Sequence, residues 1–562
     1  MSVRRLAPRV MGCCALFVFA TAAWAQTTPV PTRPTLPIST NDIVQPIPPD
    51  QLEDFAAYVD SARRAFDVPG IAVAIVKDGR VVLEQGFGLR EIGKPDKVDA
   101  HTLFAIASNT KAFTAASLQQ LAEAGKLHMD DRVIDHLLWF RMSDPYVTHE
   151  MRIRDLLAHR SGLSLGAGDL LYWPPTSYTT REVVERLRHV PLKNGFRSGY
   201  AYDNILFAVA TLVIEQASGQ SYADYVREHI FAPVGMEEAL IDSTYLKPGM
   251  DVATGHAKLD FKDLKPVPPM AWVNDPGAGG IYASVHDLAK WMKVQLAGGV
   301  LPQLGADGKP ARLFSADSQR QMWSMLTPIT IRKPAIPELA ALTPNFSGYG
   351  EAWFLSDYRG KKLVWHTGGW PGMVSRLTLV PELHLGVVVL TNQESGAAFN
   401  AVTWRVLDAY LNPTQKTDWV GVYAKAVAKS QAKADESFAK HEQARDRNSK
   451  PSLPLARYAG IYSDPWYGNV IVSQERGKLR MRFSKTAKLV GTLTPWQHDT
   501  FVVRWDDRAL NADAFVTYAL DADGAIRDVR IEAISPLTDF SFDFQDLRLT
   551  PVKSDKPAAH DD

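Results

Sequence analysis

The 562-residue sequence predicts an α/β fold of the α+β type, in which an antiparallel sheet is flanked by helices and followed by a small all-β barrel. Two observations carry this. Between residues 51 and 412, strand-like apolar runs stand at both ends and helical runs fill the middle, so one sheet must close from the two termini. After residue 452 the pattern changes to short alternating runs, at 470–473, 479–483, 501–505, 515–520 and 526–531, separated by turn residues at barrel-like spacing. The composition, 46% hydrophobic and 22% charged, suits a large globular core. With 62 basic and 62 acidic side chains there is no net field to draw in a polyanion, which argues against nucleic acid as a partner.

Taken in order, the first element is a leader. Arg4, Arg5 and Arg9 precede an apolar run from Val10 to Ala23, and Ala23-Trp24-Ala25 is a small-x-small cleavage site. Residues 1–25 therefore read as a signal peptide for a periplasmic or secreted protein. The run is shorter than the ~20 residues of a spanning helix, so no transmembrane segment is expected in the mature chain. Cleavage removes Cys13 and Cys14, the only cysteines, which leaves no disulfide and no thiol nucleophile. Residues 26–50 are a proline-rich linker. In 51–412, the catalytic domain, Asp78-Gly79 between two apolar runs predicts a hairpin. Helices are expected at 110–124, 152–159, 205–216 and 285–296, then strands at 363–366, 375–380 and 386–391 and a helix at 397–411. Residues 413–451 form a charged, solvated helical connector, so the barrel of 452–551 is expected to be separable. Residues 552–562 are a polar tail.

Three places could carry chemistry. Gly162-Leu163-Ser164-Leu165-Gly166 matches a nucleophile elbow, but an elbow joins a strand to a helix, and here a helical run leads into the glycines. Ser108-Asn109-Thr110-Lys111 is an S-x-x-K opening a helix. That spacing puts the amine and the hydroxyl on one face, and the helix start offers N–H groups to an oxyanion. Ser430 with Lys433 and Ser437 with Lys440 repeat the pattern, but inside the solvated connector. Context favours Ser108, which is followed by an alanine-rich helix suited to burial. Taken singly, Ser108 and Lys111 are also what a helix cap beside a surface lysine looks like. The remaining histidines, His101, His128, His136 and His159 among them, show no metal spacing, so neither metal nor cofactor is expected.

What separates Ser108 from a chance match is order. Tyr202-Asp203-Asn204 supplies Y-x-N downstream, and His366-Thr367-Gly368 supplies H-T-G at the end of an apolar strand. With these, and with the segments Leu156–Leu163 and Gly277–Ser284, residues 51–412 resemble the class C β-lactamase and penicillin-binding serine hydrolase family. Tyr458-Ala459-Gly460-Ile461-Tyr462 resembles the start of the small lipocalin-like barrel appended to some members. The resemblance implies a β-lactamase/transpeptidase-like fold and an acyl-enzyme on Ser108, with Lys111 and Tyr202 sharing the proton and the phenol depressed in pKa by nearby cationic charge. It further implies that Asn204 holds Lys111 and contacts the substrate amide, and that His366 and Thr367 face the substrate carboxylate or the Tyr202 oxygen. The N–H groups of Ser108 and Gly369 would form the oxyanion hole, with Gly368 in the same strand and Trp370 lining the pocket.

The substrate expected is a small molecule or short peptide. The family's β-lactamases typically carry Lys-Thr-Gly where this chain has His366-Thr367-Gly368, so peptides or esters are expected ahead of β-lactams, with D-residue peptides favoured. A β-lactamase and a non-catalytic penicillin- or peptidoglycan-fragment-binding protein are the alternatives. Oligomeric state and the role of the barrel are not legible.

Overall fold

The computed structural model describes residues 52–305, 307–414 and 416–552; the predicted leader, the proline-rich linker and the tail after Val552 lie outside the described residues. The chain opens with α1 (Phe55–Ala65) and the hairpin β1 (Gly70–Lys77) and β2 (Arg80–Gly88). Asp78 and Gly79 both adopt positive φ, 51° and 74°, as the predicted turn requires. Ala107–Thr110 is a 3-10 turn leading into α2 (Lys111–Glu123); α3 (Ile205–Ser218) and α4 (Val285–Leu296) follow. Six strands complete the sheet: β3 (Thr327–Pro328), β4 (Ser347–Tyr349), β5 (Phe354–Tyr358), β6 (Lys361–Trp370), β7 (Met373–Val380) and β8 (Leu385–Thr391). After them come α5 (Gly396–Leu411) and α6 (Trp419–Ala444).

The sheet runs β3-β4-β5-β6-β7-β8-β1-β2, every neighbour antiparallel, so the N-terminal hairpin docks beside the last strand. β1 is an unbroken apolar run because it is buried on both faces. Ile71, Val73 and Ile75 join the core under α1 and α5; Ala72, Ala74 and Val76 join the larger core holding α2, α3 and α4. In that larger core Phe113 of α2 stacks on Trp291 of α4 with ring centroids 4.2 Å apart.

One pairing detail makes room for a site. β7 pairs with β6 as far as Trp370, whereas β5 pairs only with residues 361–365, so one edge of 366–370 carries no strand. The 3-10 turn holding Ser108 packs against that stretch.

The C-terminal sheet has eight strands: β9 (Gly460–Asp464), β10 (Gly468–Glu475), β11 (Lys478–Phe483), β12 (Val490–Gln497), β13 (Thr500–Trp505), β14 (Ala514–Leu520), β15 (Ile526–Ala533) and β16 (Thr550–Pro551). Their order is β15-β14-β13-β12-β11-β10-β9-β16, and Val529 N–H donates to the Leu549 carbonyl at 2.9 Å, so the sheet nearly closes on itself. Three of these strands, β9, β12 and β16, were not among the alternating runs read from sequence.

The barrel does not stand apart as expected. Trp466, Tyr467, Phe542 and Phe544 belong to the same apolar cluster as Leu170, Leu171 and Trp173 of the catalytic domain. The segment 534–549, between β15 and β16, lies against that domain: Asp543 accepts from the N–H groups of Gly168 (2.7 Å) and Leu170 (3.1 Å). The connector is likewise only partly solvated. α6 begins at Trp419, whose buried indole donates to Asp408 at 2.9 Å, and most of its later residues are exposed.

Candidate active site

Ser108 sits in the 3-10 turn immediately after Ala107, a non-glycine residue at φ 46°. Lys111, one turn on and fully buried, donates to Ser108 Oγ at 2.9 Å, to Asn204 Oδ1 at 2.7 Å and to the Ala278 carbonyl at 2.8 Å. Burial pushes the Lys111 amine down to about 7, against the opposing pull of Asp275 and Asp169. A lysine that is half neutral near pH 7 and touches a serine hydroxyl is equipped to take its proton.

The Tyr202 phenol also hydrogen-bonds Ser108. Its pKa is not depressed as expected: burial raises it well above the usual phenol value, and the Ser108 hydrogen bond only partly offsets that. Lys111 Nζ lies over the Tyr202 ring, 5.0 Å from its centroid. Tyr202 is therefore a neutral phenol, able to pass a proton on while it keeps one.

His366 also departs from expectation. Its ring is 1% exposed, and Nδ1–H donates to the Thr367 carbonyl at 2.6 Å. A carbonyl can only accept, so Nε2 is the acceptor, taking the Tyr349 hydroxyl at 2.8 Å. Burial, with Lys111 adding to it, lowers its pKa to about 3. His366 is thus a neutral wall of the site, with both nitrogens engaged and no charge to offer a carboxylate. Thr367, half-buried, continues the strand. Gly368 is required there, because a Cβ would strike the Ile106 carbonyl and the Ser375 hydroxyl, whose hydrogen bond ties the segment before Ser108 to β7. Gly369 is exposed, with open space where a Cβ would stand.

Asn204 is 5% exposed: Oδ1 holds Lys111, and Nδ2 donates to Asp169 Oδ2 at 2.9 Å. Burial raises Asp169 to about 7. Its Oδ2 also accepts from Ser541 of the C-terminal segment at 2.8 Å. A chain of hydrogen bonds therefore runs from the barrel, through Asp169, Asn204 and Lys111, to Ser108. Trp370 packs against Trp173 and Trp272, with centroids 6.4 and 5.1 Å away, and lines a cavity of about 560 Å³ together with Trp173.

Several neighbours were not read as site residues. His159 lies 4.1 Å from the Tyr202 ring, its Nδ1 accepting the Asp203 N–H at 3.0 Å, and burial keeps it neutral. Its place between Arg160-Ser161-Gly162 and the buried Ala158 was the available signal. Phe540 of the barrel meets Tyr202 edge-on at 6.0 Å, and no local motif marks it. Ser164, the elbow decoy, donates to Asp546 at 3.1 Å in the contact with the barrel. Among the described residues no cluster of side chains has the make-up of a metal site.

A model of the β-lactamase family matches residues 55–411, and a model of a domain of unknown function, DUF3471, matches 444–551. An unguisins hydrolase of Aspergillus campestris is 30% identical over 477 residues, covering 80% of this chain and 84% of the relative. The octameric penicillin-binding protein homologue from Pyrococcus abyssi superposes with a TM-score of 0.55 at 22% identity, over 89% of this chain and 99% of that one. The D-amino acid amidase from Ochrobactrum anthropi SV3, complexed with D-phenylalanine, gives 0.50 at 23% identity, over 65% and 100%. The fold is of the β-lactamase/transpeptidase type.

Proposed function

This chain belongs to the β-lactamase family and is a serine hydrolase, and from that premise we propose that Ser108 is its nucleophile and that small peptides, amides or esters are its substrates, D-residue peptides foremost. The observation that carries the reading is the buried Lys111 amine, held near neutrality 2.9 Å from Ser108 Oγ. Ser108 Oγ attacks the carbonyl carbon while its proton passes to Lys111. The oxyanion is met by the N–H groups of Ser108 and Gly369. The bond to the leaving nitrogen or oxygen then breaks, and the Tyr202 hydroxyl delivers a proton to it as Lys111 restores that of the phenol. Water repeats the sequence on the acyl-enzyme. Asn204 positions Lys111 and has a second amide hydrogen to offer the substrate amide. Residues 1–25 export the protein, and residues 51–412 are its catalytic domain.

His366 separates this reading from a β-lactamase. A β-lactam carboxylate calls for a fixed cation beside the nucleophile, and an imidazole whose pKa has fallen to about 3 supplies none. The test is a panel of D- and L-configured peptides, short esters and β-lactams, with product masses read out. Peptides or esters should turn over, and penicillins should be poor substrates or slow inhibitors. Hydrolysis of nitrocefin at ~10–10³ per second, with neither peptide nor ester turned over, would overturn the proposal.

A further inference from the structure

The cavity beyond Gly369 is built by both domains. Gly369, Trp370, Gln393 and Glu394 come from the catalytic side, and Leu537 and Asp539 from the barrel segment 534–549. Its cations are already matched: Lys258 pairs with Asp67 at 2.7 Å and Lys488 with Asp507 at 3.0 Å, all four lining the same space. Glu394 and Asp539 have no ion-pair partner among the described residues. Each is held by a backbone amide, Gly372 N–H on Glu394 and Ser541 N–H on Asp539, both at 2.8 Å. Gln393, beside them, is 5% exposed, and its buried Oε1 has no hydrogen-bond partner. The charged groups of this pocket left without an ion pair are therefore both anionic, next to the unpartnered Gln393 Oε1 and the indoles of Trp173 and Trp370.

Resting on the reading of Ser108 as nucleophile, we infer that this cavity binds the acyl half of the substrate and that Glu394, Asp539 and Gln393 recognise a free primary ammonium on it. Three donors of an ammonium match three oxygen acceptors, and the indole faces favour the same cation and the apolar carbons that carry it. The direction follows from the strand: the proton carrier Tyr202 stands at the His366 end of the exposed edge of β6, so the leaving group lies there. The cavity opens at the other end, from Gly369 to Pro371. Both residues keep exposed surface at the cavity, yet the walls around their carboxyls desolvate them and raise them, Glu394 to about 7 with the charge of Asp539 adding to it, a state that a bound cation relieves. The barrel is then a specificity element, because Asp539 belongs to it.

The test uses the full chain and competition against a fluorophosphonate that labels Ser108. 2-Phenylethylamine should protect Ser108, and N-acetyl-2-phenylethylamine should protect it far less. The ratio of the two protection constants within one protein cancels any change in labelling rate, and it should fall roughly tenfold or more in Glu394→Gln and in Asp539→Asn. Equal protection by amine and acetamide in the wild type, or a ratio unchanged in both variants, overturns the inference. Absence of Ser108 labelling in the uninhibited wild type would instead refute the nucleophile assignment, so the two failures are distinguishable.

Discussion

Lys111 shows how burial sets chemistry one side chain at a time. The same desolvation that lowers its amine to about 7 keeps His366 neutral and Tyr202 protonated, so the residues around Ser108 carry little fixed charge. Only neutral Lys111 can accept the Ser108 proton. The acylation rate for an uncharged ester should therefore rise as pH increases through about 7 and then level off. A limb near the ordinary lysine value, or a rate falling over that range, would contradict this. Lys111→Ala and Tyr202→Phe should each cut turnover by ~10²-fold or more with unchanged circular dichroism, since both remove a step of proton transfer. Near-normal turnover in either would remove that residue from the mechanism. That Ser108, Lys111 and Tyr202 meet was legible because the proposed chemistry needs those side-chain types in that chain order. The engagement of His366 was not, since Tyr349, whose hydroxyl donates to its Nε2, lies on β4, two strands away across the sheet.

At the scale of elements, the site exists because β5 stops pairing at Trp365 and frees the edge of β6, while Gly368 lets the Ser108 turn approach that edge. The apolar runs predicted both strands, but a run of hydrophobic residues does not say where a partner strand ends. The segment 534–549 acts at the same scale. Its Ser541 stabilises the charged form of Asp169, and that charge in turn favours protonated Lys111. In Ser541→Ala the Asp169 pKa should rise further, its mean charge near pH 7 should fall, and Lys111 should lose its proton more readily. The acid limb of the pH–rate profile should therefore move to lower pH. A limb that stays in place would show that the hydrogen-bond chain from the barrel does not reach the nucleophile.

Across the whole molecule, the apolar cluster that continues from the catalytic domain into the barrel makes the two interdependent. A chain ending at Asn412 should be insoluble or bind a hydrophobic dye, and the full chain should melt in one calorimetric transition. Trp466→Ala should cost ~3–5 kcal/mol through the cavity it leaves. A soluble, active truncated chain would restore the separable barrel that the charged connector suggests. That connector misled because its lysines and glutamates describe the exposed face of α6, whereas the contact between domains is made by residues 164–193 and 258–261 with 466–485, 504–511 and 534–549, far apart in sequence. Labelling of the intact protein with a fluorophosphonate, followed by peptide mass mapping, should put the adduct on Ser108 and lose it in Ser108→Ala; an adduct on Ser164, or equal labelling of the variant, would contradict the nucleophile assignment.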